Sequence, residues 1–297
     1  MTGLGSVVPA VFKDSPESQS PSIPLRDFLK NKKMKKFMGR QDELALVAAG
    51  RAIEASGIDE ESLKHQTGIY LAVGYIPFEE EDFNILAANS EEAGVFSMKK
   101  LSTDGFSSMH PFLTFRCLPN MPLFHISVNY GITGPYFISY PGPGQFYLAL
   151  LEAVRALEAG EVEIALVGGV AHQKNLLVDL FYKRVPELSG LKPVDAAGFI
   201  VLETSSHAEQ RGASVRVALK ALHLEYIPHD PLVRMHDYRE SLTNVDAIES
   251  VWTGGYPGAA LLPVRLESAI NSGCGGLLRH KVTTVDGVCA LSEWEIT

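Results

Sequence analysis

The chain has 297 residues, 46% of them apolar, with 26 basic and 35 acidic side chains and a net charge of −9. That supplies one substantial core or two fused half-domains, while the acidic balance excludes a general nucleic-acid binder, which needs a basic face against phosphates. Cys117, Cys274 and Cys289 show no CxxC spacing and the opening MTGLGSVVPAVF no basic n-region, so a disulfide framework, a zinc site and a secretion signal are not expected; with no apolar run near the ~18 residues of a membrane span, we expect a cytoplasmic protein.

In chain order, residues 13–24 (KDSPESQSPSIP) read as a surface loop. The next stretch, KNKKMKKFMGR, holds six of the 26 basic residues: Lys30, Lys32, Lys33, Lys35, Lys36 and Arg40. It is either a solvated helix start or a docking patch for an acidic partner. Residues 42–56 place apolar side chains at helical spacing and end at Gly57, a C-cap candidate. GIYLAVG (68–74) suits a buried strand, and FEEEDF (78–83) an acidic loop without metal-ligand spacing. A helix over 146–158, apolar nearly all round, is expected to be buried on every side. Strands are predicted over 162–170, 197–203, 214–226 and 288–296, and a helix over 261–270. Helices alternating with near-continuous apolar strands give an α/β fold with sheet buried between helices.

Several motifs fall in a fixed order: TGLG at Thr2–Gly5, PNM at Pro119–Met121, YGITGP at Tyr130–Pro135, LEAGEVEIALVGG ending at Gly169, AGFIVLE, and TGGYPGAA at Thr253–Ala260. The series resembles the β-ketoacyl-acyl-carrier-protein synthases. The resemblance implies a thiolase-like layered αβαβα fold with a shortened C-terminal half, divided into ketosynthase-like halves at 1–205 and 206–297. In that family a TACASG-like turn sets a cysteine at the N-terminus of a buried helix, whose dipole and free N–H groups stabilise the thiolate and the thioester oxyanion. Counting from Gly134–Pro135, or back from Gly168–Gly169, the cysteine position falls on Pro143 in GPYFISYPGPGQFYLAL. Proline offers neither nucleophile nor N–H, yet suits a first helical turn. The family's Lys-Ser-x-x-Gly-His-x-x-Gly-Ala-Ala turn matches SVWTGGYPGAA, with Ser250 at the lysine position and Gly255 at the histidine position. Neither substitute can stabilise an enolate by charge or proton donation. The stretch LEYIPHDPLVRMHDYRE can be laid over the family's HGTGT-like segment with His229, Asp237 and Glu240 in register, but its glycine and threonines are missing, and a surface-loop histidine is the preferred reading of His229.

HPFLTFRCLPNM overlays the family segment at the dimer interface, where Phe112, Leu113, Thr114 and Phe115 would line or cap a chain growing in the partner; a core-facing apolar segment is the alternative. The resemblance is nearest in character to the chain length factors of type II polyketide synthases, which lack the cysteine. Their usual replacement is glutamine, whereas here Gln145 lies two residues past Pro143. It implies a subunit without activity of its own, needing no cofactor, paired with a cysteine-bearing ketosynthase as a heterodimer and acting with an acyl carrier protein. Lys32, Lys33, Lys35, Lys36 and Arg40 would be the carrier's docking residues. Two rival readings stay open: an acyltransferase using another nucleophile, with Cys117, Ser139 and His229 as candidates, and a regulatory protein binding acyl chains or carrier protein.

Overall fold

A computed structural model describes residues 4–13, 23–78, 80–184, 192–213, 215–227, 239–244, 255–273, 275–284 and 287–297. The principal elements are β1 (Leu4–Lys13), α1 (Arg40–Ser56), β2 (Thr67–Val73), α2 (Met121–Tyr130), β3 (Tyr136–Ser139), α3 (Gly144–Glu158), β4 (Ile164–Ala171), β5 (Ala196–Thr204), β6 (Val217–Tyr226), β7 (Arg239–Asn244), α4 (Leu261–Asn271), β8 (Gly276–Thr283) and β9 (Val288–Ile296). The strands join in the order β3-β2-β4-β5-β1-β6-β9-β8-β7. Among the described residues only β3/β2 and β2/β4 are parallel strand pairs, and a single residue pair, Leu4 with Leu219, links the two parts of the sheet.

Side-chain alternation sorts the core into layers. From β2, Ile69, Leu71 and Val73 face α1 and α2, joined there by Ile164, Leu166, Phe199 and Val201. Tyr70, Ala72, Val167 and Ile200 face the other way, onto α3 and α4. The far side of those helices is covered by Leu219, Leu278, Trp294 and Ile296 from β6, β8 and β9. Because β2 and β4 are buried along their whole length, they read as unbroken apolar runs. Strand β9 alternates buried and half-exposed residues, and its outer face carries the ion pairs Arg279–Glu293 and Lys220–Glu295, each 2.6 Å. Among the described residues no helix packs on that outer face.

The two glycines of VGG hold the layers close together. A Cβ on Gly168 would stand 2.1 Å from the Phe199 ring, and one on Gly169 2.1 Å from the Ala259 carbonyl oxygen. The turn that opens α4 therefore lies directly against β4. Two expectations change in detail. The helix over 144–158 is not buried all round, since Arg155 is exposed and pairs with Glu152 at 2.5 Å. The acidic stretch after Phe78 forms a helix, Glu80–Ala88, with Glu80, Glu81 and Asp82 in its first turn, where the helix dipole favours carboxylates.

Candidate functional site

Strands β2, β3 and β4 run parallel, so their C-terminal ends share one edge, the customary location of α/β sites. From that edge β3 leads through Tyr140, Pro141 and Gly142 to Pro143, the N-cap of α3. Its φ of −71° fits the helix start without strain. The Gln145 and Phe146 amides donate back to the Gly142 and Pro143 carbonyls, each at 3.3 Å, so they are spent within the turn. Behind them Gly144 is pressed against the other part of the sheet, where a Cβ would meet Val288 at 2.8 Å and the Thr284 hydroxyl at 3.0 Å.

Gly255 sits at φ +85°, a conformation that disfavours any side chain. A Cβ there would lie 2.3 Å from Val194 and 2.9 Å from the Lys192 carbonyl. The Tyr256 amide donates to Lys192 O at 2.7 Å and the Val194 amide to Tyr256 O at 3.0 Å, fixing this backbone in place. No imidazole fits at 255 without moving that bridge. Ser250, His229 and Asp237 lie outside the described residues, and Glu240 falls in β7, described by its backbone alone.

A chain of aromatic rings runs between these two turns. Tyr140 contacts Tyr75 at 6.3 Å between centroids, Tyr75 meets Phe181 at 5.2 Å, Phe181 meets Tyr182 at 6.5 Å, and Tyr182 meets Tyr256 at 6.0 Å. Tilted and edge-on contacts at such spacings are mutually attractive. The Tyr182 hydroxyl is buried without a partner among the described residues, and burial pushes its pKa up, so it stays protonated. These residues escaped the sequence reading, though a signal was present: the tripeptide Tyr-Pro-Gly occurs at 140–142 and again at 256–258, once at each turn.

The other nucleophile candidates are poorly disposed. Burial pushes the Cys117 thiol up to about 11, away from thiolate formation. The Ser139 hydroxyl donates to the Gln145 carbonyl at 2.7 Å.

The lysine-rich stretch and the PFLTF segment, distant in sequence, form one surface. Lys32–Phe37 is a 3₁₀ helix. Its Phe37 ring packs on Phe112 at 4.8 Å and on Phe115 at 5.9 Å, and Lys36 Nζ stands 4.8 Å from the Phe37 centroid and 5.7 Å from that of Phe112. Leu113 points into the core, whereas Phe115 is 43% exposed; of Thr114 only the backbone is described. Arg40 turns inward, its Nε 3.6 Å from Asp195 Oδ2. Next to this surface α1 begins over a buried pair. The Gly39 amide donates to Asp42 Oδ2 at 2.7 Å, and burial lifts the Asp42 carboxyl to about 8. His125 Nε2 lies 3.9 Å away, its pKa depressed by burial to about 4.

Comparison with known proteins accords with this geometry. The polyketide synthase GfsA of Streptomyces halstedii is 23% identical over 197 residues, covering 62% of this chain and 2% of that far longer protein. Among solved structures, a type II polyketide synthase ketosynthase determined with its acyl-carrier protein (AntDE:AntF) superposes with a TM-score of 0.71 at 14% identity, over 99% of this chain and 100% of that one. The ishigamide ketosynthase/chain length factor gives 0.68 at 14%, over 100% and 98%. At such identities these likenesses establish the thiolase-like ketosynthase fold. No helix among the described residues is long and apolar enough to cross a membrane. The family described as β-ketoacyl synthase, N-terminal domain, matches residues 24–183, more than half of the chain, and the protein belongs to the β-ketoacyl synthase family.

Proposed function

We propose that this chain is a noncatalytic, chain length factor-like subunit. It pairs with a cysteine-bearing ketosynthase and shapes the acyl pocket of a polyketide or fatty-acid type synthase fed by an acyl carrier protein. The carrying observation is the state of the two catalytic turns. Pro143 and Gly255 stand where the family resemblance sets the nucleophile and the decarboxylating histidine, and five aromatic rings tie the two turns together. The scaffold is kept and the reactive groups are not. We likewise read 1–205 and 206–297 as ketosynthase-like halves.

The edge of the sheet supports pairing. β3 hydrogen-bonds to β2 on one side only among the described strands, and an open strand edge calls for a partner or a cover. Tyr136 on β3 is 70% exposed, and Val128 and Phe124, one turn apart on α2, are 54% and 41% exposed. Apolar side chains of that size left in water mark an interaction surface. On this reading Phe112, Thr114 and Phe115 approach the partner's acyl pocket and Lys32, Lys33, Lys35 and Lys36 face the acidic carrier, while Leu113 and Arg40, which turn inward, drop out of those two sets.

Co-expression with a ketosynthase and its carrier protein provides the test. A stable heterodimer whose product differs in chain length from that of the ketosynthase alone is the expected outcome. Purification of this chain as a stable monomer, with the synthase's product unchanged by its presence, would end the reading.

A further inference from the structure

A cavity of about 260 Å³ opens on the outer face of β6 and β9, lined by His223, Glu225, Lys281, Cys289, Ala290 and Leu291 among others. The strand register sets these side chains out in two rows. His223, Leu291 and Lys281 stand side by side on β6, β9 and β8, and Glu225, Cys289 and Thr283 stand side by side two residues along. Cys289 and Leu291 are half-buried and form the floor together with the buried Ala290, whereas His223, Glu225 and Lys281 are exposed around it.

Elsewhere on this face opposite charges meet across adjacent strands, Arg279 with Glu293 and Lys220 with Glu295. Around the cavity they do not. Glu225 and Lys281 belong to the two strands that flank β9, so their backbones are about 10 Å apart sideways, and side chains that stand up from a sheet keep that separation. Neither of them, nor His223, makes a hydrogen bond or ion pair among the described residues. A guest with one charge meets one favourable wall and one hostile wall: an anion gains Lys281 and faces Glu225, and a cation the reverse. A guest that carries both charges a few bonds apart on an apolar body satisfies both walls and covers Leu291. At about 260 Å³ the space falls below the ~300–1,000 Å³ that holds a drug-sized ligand, so the guest is small.

From this arrangement we infer that the cavity binds a small zwitterion, an α-amino acid with an aliphatic side chain. Its ammonium pairs with Glu225, its carboxylate with Lys281, and its side chain lies over Leu291, with His223 beside the carboxylate as a further donor. The site uses no group of the two emptied turns and goes beyond the subunit reading: a chain that alters a synthase's product yet binds no amino acid would preserve that reading and end this one.

Ligand-observed NMR titration of the full chain with L-leucine, L-leucinamide and 4-methylpentanoate tests the assignment. Exposed ion pairs are individually weak, so leucine should bind with a Kd of about 1 mM. Leucinamide, which lacks the carboxylate, and 4-methylpentanoate, which lacks the ammonium, should bind about tenfold more weakly. Glu225→Gln should weaken leucine several-fold yet tighten 4-methylpentanoate, and Lys281→Gln should weaken leucine yet tighten leucinamide. Misfolding cannot produce such opposite responses. Saturating leucine should also slow alkylation of Cys289 by iodoacetamide, followed by peptide mass, and leave Cys117 unaffected. Leucine binding no tighter than its one-charge analogues, no binding of any of the three up to about 50 mM, a leucine affinity indifferent to both substitutions, or unslowed alkylation of Cys289 would overturn the site.

Discussion

The strands on the two sides of the Leu4–Leu219 link live in different solvents. β2, β4 and β5 are covered on both faces, so nearly every residue along them is buried. β6, β8 and β9 bury one face against α3 and α4 and leave the other to water and to ion pairs. The first group tolerates only what packs, and it holds the family's glycines in place. The second tolerates charge, and ion pairs cross its outer face. Sequence drift is therefore cheap on the outer face of β6–β9 and costly along β2–β5.

The largest effect that would break this contrast lies at Phe199. The side chain is fully buried and its ring lies over Gly168. Phe199→Ala leaves a cavity where no neighbouring chain can collapse, and we expect a loss of about 3–5 kcal/mol in denaturant unfolding. Leu291→Ala, on the half-exposed face of β9, should cost below about 1 kcal/mol. Equal losses at the two sites would show that the outer face is covered after all.

The pair under α1 comes next. Asp42 is protonated in the folded chain up to pH about 8, against 3.8 for an ordinary aspartate carboxyl, so its folded pKa is raised. Its favourable share of stability is complete below pH 3.8 and drains away as pH climbs toward 8. His125 behaves oppositely, since its folded pKa of about 4 is below the ordinary 6.5. Its share is complete above 6.5 and is lost as pH falls toward 4. Urea midpoints followed from about pH 4 to about pH 9 should therefore fall at both ends. Asp42→Asn keeps an acceptor for the Gly39 amide and removes the alkaline decline, stabilising the protein at pH 8 by up to about 5 kcal/mol. His125→Leu should remove the acid decline alone. An Asp42→Asn chain that still loses stability as steeply toward alkaline pH would place that titration elsewhere.

Much of the first region was legible in the sequence. Unbroken apolar runs at 68–74 and 197–203 coincide with β2 and β5 to within a residue or so, because a strand buried on both faces has only one solution in composition. Gly57 does close α1 in the left-handed conformation. β8 was missed, as Gly276–Thr283 mixes Arg279, His280 and Lys281 into its run. A wet-faced strand spreads its signal over alternate positions, and here His280 is buried against Tyr147 and stacks on its ring while its charged neighbours are exposed. At the site, Pro143 and Gly255 could be counted out from fixed glycines. The aromatic chain could not, because Tyr75, Phe181 and Tyr182 come from loops and a helix whose meeting depends on the sheet edge. The same holds for Lys36 over Phe112, which are 76 positions apart in numbering (112 less 36) and joined only by packing.

The smallest expected effect sharpens the comparison from the wet side. Arg279 reaches Glu293 across the β8/β9 ladder, its Nε at 2.8 Å and Nη2 at 2.6 Å from the same oxygen. The guanidinium is 46% exposed, so water competes for it and salt screens it. Arg279→Ala should cost no more than about 0.5 kcal/mol at low ionic strength, and that loss should fade in about 1 M salt. The double-mutant cycle with Glu293→Ala isolates the pair from the arginine's own packing on the strand. A coupling above about 2 kcal/mol that survives high salt would mean the pair is desolvated, and with it that something covers the outer face of β6–β9 in solution.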